Sequence, residues 1–124
     1  MRHNIYGKHL GRTKNERTSL FKSLIGSLIL HGSITTTQTK AKAIKGLTDK
    51  IITQAKNKQS FSSSFLTQKK VTDKLFNEVV PSLEKRKSGF TSIVKMGPRK
   101  GDNSMMVKMK LLMEEKKAKS KKKI

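Results

Sequence analysis

Cysteine is absent from the 124 residues, which removes disulfides, thiolate metal ligands and cysteine nucleophiles together. Tryptophan is absent as well, and there are one tyrosine and five phenylalanines. Binders of single strands rely on aromatic platforms worth about 1–3 kcal/mol per stacked base, so readout of unstacked bases is poorly supported here. Tyr6 is the one well-placed stacking candidate, because most of the phenylalanines sit on apolar stripes. Acidic residues number eight and are scattered. Glu114 and Glu115 are neighbours, but neighbours on a strand point to opposite faces and make a poor acid/base pair. His3, His9 and His31 have no nearby carboxylate in sequence to orient them. Catalysis therefore fails on inventory. Long apolar runs are missing too: the stretch 20–30 is broken by Lys22, Ser23, Gly26 and Ser27, well short of the roughly 18 residues of a membrane span. The N-terminus lacks the order of a secretory signal, so neither a membrane partner nor export is expected, and a cytoplasmic location is.

What the chain has in excess is positive charge. Lysine and arginine number 29 against 8 acids, a net charge of +21. Self-repulsion on that scale in a chain of one domain's length points to a polyanionic partner, and counterion release on phosphate neutralisation is the term that uses it. The hydrophobic fraction of 33% allows a modest core with little left for a deep pocket. No cofactor, metal or small-molecule substrate is expected.

Patterning divides the chain into a basic N-terminal arm (1–12), one α+β domain (13–113) and a lysine-rich tail (114–124). The arm alternates cations with Asn4, Gly7 and Gly11 and has few apolar residues, too few to fold alone. Thr13 and Glu16 have capping-box spacing, and Leu20, Phe21, Leu24, Ile25, Leu28 and Ile29 make a helical stripe with Lys22 on the wet face. Gly32 suits the left-handed position that ends a helix. The β-branched run 34–37 reads as an extended segment. A second helix follows, with Ala41, Ile44, Leu47, Ile51 and Ala55 on one side and lysines mostly on the others, weakened by Gly46 at its middle. After a serine-rich connection, a third helix is predicted over 67–80 with Val71, Leu75, Phe76, Val79 and Val80 on its stripe, Pro81 marking its end or a new start. The period then changes to two. Strands are predicted over 90–96 and 105–113, the second with Met105, Val107, Met109, Leu111 and Met113 on one face and Lys108 and Lys110 on the other. About three helices packed on a small antiparallel sheet is the expected architecture.

The loop 97–104 between the strands invites a phosphate-loop reading. It lacks the G-x-x-x-x-G-K-[ST] order and joins two strands instead of a strand and a helix, so nucleotide hydrolysis is set aside. Arg99 and Lys100 on a rigid turn suit the grip of an RNA backbone better. The alternating methionines read as core. For the tail lysines, phosphate contact and a solvated tail both stand open. An architectural DNA-binding protein would share the charge, yet no wedge or recognition helix is evident. A cationic membrane-active peptide precursor would need more cations on the polar face of the first helix. Backbone and shape recognition of folded RNA fits best.

Several ordered blocks carry a resemblance: Met1-Arg2-His3, Leu10-Gly11-Arg12-Thr13, Ile34-Thr35-Thr36 with Lys40-Ala41-Lys42, Ile51-Ile52-Thr53-Gln54-Ala55-Lys56, Lys74-Leu75-Phe76-Asn77-Glu78 and Gly97-Pro98-Arg99-Lys100-Gly101-Asp102-Asn103-Ser104. Over residues 1–112 the chain closely resembles the bacterial large-subunit ribosomal protein family numbered seventeen. The resemblance implies a non-catalytic α+β protein bound to large-subunit ribosomal RNA, in contact with neighbouring ribosomal proteins near the exit-tunnel side. It implies RNA-facing positions at Arg2, His3, Arg12, Lys40, Lys42, Arg99 and Lys100. Lys8 in the arm, with Lys14 and Arg17 at the start of the first helix, completes the candidate set. Ser88-Gly89-Phe90-Thr91-Ser92 departs from the family, which often carries a Thr-Arg at this strand start. The basic content is also biased to lysine, a point charge without arginine's planar fork.

Overall fold

The computed structural model describes residues 8–58, 66 and 68–113. The first helix, α1 (Lys14–His31), begins with the full capping box. The Thr13 backbone N–H donates to Glu16 Oε2 at 2.9 Å, and the Glu16 N–H donates to Thr13 Oγ1 at 3.4 Å. It ends at Gly32, whose φ of 76° and N–H bond to the Leu28 carbonyl close the helix. Strand β1 (Ser33–Thr37) runs straight into α2 (Gln38–Lys56).

The third helical run, α3, comprises three consecutive pieces: α-helical Lys69–Lys74, π-helical Leu75–Val79 and α-helical Val80–Ser82. It starts two residues later than predicted and passes through Pro81. Val71, Leu75, Val79 and Leu83 are buried at a strict spacing of four. Four α-helical residues overshoot a full turn by about 40°, so such a stripe would drift across the surface. The wider π turn takes up the drift and precedes Pro81, which has no N–H to donate. Phe76, expected on the stripe, is instead 38% exposed.

Strands β2 (Thr91–Pro98) and β3 (Met105–Leu111) form a hairpin, with β3 central in the order β1-β3-β2, antiparallel on both sides. The predicted alternation holds: Val107, Met109 and Leu111 are buried, whereas Lys108 and Lys110 are exposed. A bulge at Lys95/Gly97 leaves Met96 as the extra residue. Helices α1 and α2 pack on one face of the sheet, and α3 packs on α1 and α2.

The core joins Ile25, Leu28 and Ile29 of α1, Ala41, Ile44, Ile51, Ile52 and Ala55 of α2, the α3 stripe, Phe90, and Val107, Met109 and Leu111 of β3. Gly26 of α1 faces Val71 of α3, where an added Cβ would lie in ordinary contact, 3.7 Å from Val71 Cγ2. Lys74 of α3 donates to the Leu30 carbonyl in the last turn of α1. At the other end, the Lys56 ammonium collects the carbonyls of Leu83 (3.2 Å), Glu84 (3.4 Å) and Arg86. Asp49 Oδ1 accepts the Phe90 N–H at 3.2 Å. These two side chains tie the charged loop to α2 and deliver the chain into β2.

Candidate nucleic-acid interface

The sequence-predicted cations fall into two groups. The first surrounds the start of α1. Leu10 (φ 55°) and Gly11 (φ 62°) form a left-handed turn, closed by the Arg12 N–H on the His9 carbonyl at 3.2 Å. Arg17 Nη1 reaches back to the Arg12 carbonyl at 2.7 Å and the His9 carbonyl at 3.3 Å, with His9 Nδ1 3.5 Å away. Arg17 thus fixes where the arm leaves the domain. Lys8, Arg12 and Lys14 stay exposed around that turn. Arg2, His3 and Tyr6 lie outside the described residues.

The second group sits where β1 enters α2 and where β2 turns into β3. Lys40 and Lys42 stand in the opening turns of α2, half-buried and exposed respectively. Thr37 makes no side-chain cap bond, and no acid occupies the first turn, so the positive end of this helix is not offset locally. A shallow cleft of about 250 Å³, lined by Thr37, Gln38, Thr39, Ser104 and Met105, joins this corner to the β2–β3 turn.

The turn is built around Asp102. Arg99 Nε donates to Asp102 Oδ1 at 3.1 Å and Nη2 to Oδ2 at 2.5 Å. The Ser104 N–H and hydroxyl donate to the same carboxylate at 3.3 and 2.9 Å. These bonds, Arg99's first, hold the Asp102 carboxyl well below the usual carboxylate range. Positive φ at Gly101 and Asn103 and the Arg99 N–H bond to the Ser104 carbonyl at 2.8 Å complete a rigid loop. Two donors on one edge of the Arg99 guanidinium are therefore committed within the turn. Lys100 stands exposed at its tip with no ion-pair partner among the described residues. Nothing in composition alone assigns Asp102 this organising role; its i,i+3 spacing from Arg99 is the available signal.

Other chemistry finds little support. The larger cleft, about 310 Å³ between α1 and α3, carries one titratable lining side chain, Lys22. That lysine, expected on the wet face, is half-buried there. Among the described residues, no cluster of three His, Cys, Asp or Glu is placed to hold a metal. No described helix is long and apolar enough to cross a membrane. Lys45 of α2 is a further exposed cation outside the candidate set.

The model of the family described as ribosomal protein L17 matches residues 20–112. The "Large ribosomal subunit protein bL17" of Geobacter metallireducens is 38% identical over 126 residues, covering 98% of this chain and 71% of the relative. The protein of the same name from Carboxydothermus hydrogenoformans is 39% identical over 112 residues, covering 87% of this chain and all of the relative. That from Rubrobacter xylanophilus is 40% identical over 116 residues, covering 90% and 96%. These relatives bear the names of ribosomal proteins and not of enzymes. The chain belongs to the ribosomal protein L17 family.

Proposed function

We propose that this protein is a structural component of the large ribosomal subunit that holds folded large-subunit ribosomal RNA through its phosphate backbone. The charge inventory carries this reading. If each of the 8 acids neutralised one cation, 29 − 8 would still leave 21 uncompensated, and phosphate is the partner that makes such an excess favourable. Arg2, His3, Lys8, Arg12 and Lys14 reach RNA from the arm and the start of α1, with Arg17 fixing the direction of approach. Lys40, Lys42, Arg99 and Lys100 grip it from the corner where β1 enters α2 and β2 turns into β3. The protein works in the cytoplasm, where ribosomes assemble, beside neighbouring large-subunit proteins near the exit tunnel.

Sedimentation tests the reading. The full chain should travel with large subunits through moderate salt and be absent from nucleoid DNA and membrane fractions. Recovery with either of those fractions instead would overturn it.

A further inference from the structure

The helices leave one face of the sheet uncovered among the described residues. Directly opposed residues in antiparallel strands project to the same side, so the register gives that face's composition. Ser33, Lys110 and Ser92 form one row across the three strands, and Thr35, Lys108 and Val94 form the next. Thr37, Met106 and the Met96–Gly97 bulge form a third. The two lysines lie at the centre, with neither an ion-pair partner nor a carboxylate in these rows. Val94 and Met96 beside them are 51% and 60% exposed.

We propose that this open face is an additional RNA-contacting surface that takes the backbone of an A-form duplex. The inference rests on the RNA-binding reading above and extends it to residues outside the candidate set. Lysines on an edge strand guard against unwanted strand pairing, but β3 is central and both its edges are paired, so that role does not account for them. The cores of protein–protein interfaces are depleted in lysine, whereas here lysine occupies the middle. Lys108 and Lys110 are two residues apart on one strand, about 6.8 Å along it, and present two point charges to one phosphate strand. The hydroxyls of Ser33, Thr35 and Ser92 flank them. Duplex RNA displays 2′-hydroxyls, which donate and accept, across a wide, shallow minor groove, and a hydroxyl-lined sheet matches that surface. The face has no aromatic side chain, so it offers no platform for splayed bases. Val94 and Met96 provide apolar surface for ribose carbons.

The test measures the salt dependence of full-chain binding to a fully base-paired hairpin from large-subunit ribosomal RNA, with a DNA duplex of the same sequence in parallel. Lys108→Ala with Lys110→Ala is compared with Lys69→Ala with Lys70→Ala, two exposed lysines at the start of α3 that change net charge equally. The proposal expects the first pair to lower the log–log slope by about 1.8, two contacts at about 0.9 each, and the second to leave it near wild type. Thr35→Val should narrow the preference for RNA over DNA by roughly five-fold, the scale of one hydrogen bond. Equal losses from both lysine pairs, or none from either, with wild type still steeply salt-dependent, would overturn this inference and leave the RNA-binding reading standing. Unaltered hairpin binding by the Lys108/Lys110 variant, with loss of a neighbouring protein from assembled subunits, would make the face a protein contact and also overturn it. A flat slope for wild type would remove the RNA-binding reading itself.

Discussion

Asp102 faces Arg99 across the β2–β3 turn, its two oxygens receiving Nε and Nη2 at 3.1 and 2.5 Å. Arg99 therefore shapes the turn as much as it offers charge, and Lys100 is the cation displayed outward. Because the folded state lowers the Asp102 pKa, the pair's contribution is complete above the unfolded value of about 3.9. It is lost as pH falls through the folded value. A carboxyl NMR titration should show Asp102 still ionised where ordinary carboxylates are half protonated. A midpoint near 3.9 would contradict the bonded turn.

The Lys56 ammonium gathers the carbonyls of Leu83, Glu84 and Arg86 and lies 5.3 Å from the centre of the Phe90 ring. Lys56→Met keeps the apolar stem and removes the donors. It should cost about 1–3 kcal/mol, the scale of part-buried acceptors losing a charged partner, and be read as a lower thermal midpoint. An unchanged midpoint would mean that water replaces the ammonium without loss.

Two glycines separate conformation from space. Gly46 lies exposed within α2, and a Cβ added there would meet nothing within 4 Å, while Gly32 ends α1 at φ 76°. Gly46→Ala should raise stability by up to about 1 kcal/mol through helix propensity. Gly32→Ala should lower it, because the left-handed conformation strains any residue with a Cβ. Thermal unfolding of the two variants should move in opposite directions; movement in the same direction would refute the assignment.

The β2–β3 turn is already ordered, so Arg99 and Lys100 lose little conformational entropy on meeting phosphate. A chain segment that becomes ordered only on binding gives up about 1–2 kcal/mol per residue fixed. Replacing Arg99 and Lys100 together with alanine should therefore weaken incorporation into large subunits more than deleting residues 116–124. Competition of each variant against wild type during subunit assembly gives the occupancy. A more damaging tail deletion would make the tail a specific anchor.

Local signals carry much of the fold. The Thr13–Glu16 box, the Gly32 terminator and the alternation of β3 depend on residues within a few positions of one another, and each is legible. Pairing is not. Periodicity marks 34–37 as extended but does not say that it joins the far edge of β3, a partner some 70 residues away. The π turn escapes the sequence because residues 75–80 supply apolar side chains for either register, and only packing against α1 and α2 selects the one that leaves Phe76 outside. The Lys56 anchor, which spans 27 to 30 residues, has no sequence signature. At the candidate interface the cations themselves are visible. The use of Arg17 to fix the arm and of Asp102 to organise the turn depends on side-chain geometry that composition does not contain.

Salt titration of the protein's affinity for folded large-subunit ribosomal RNA tests whether phosphate neutralisation drives binding. Log affinity should fall linearly with log salt concentration. Between about 50 and 200 mM the loss should reach roughly a thousand-fold or more, as expected for about six or more phosphate contacts. An affinity unchanged across that range would mean that phosphate neutralisation does not drive binding.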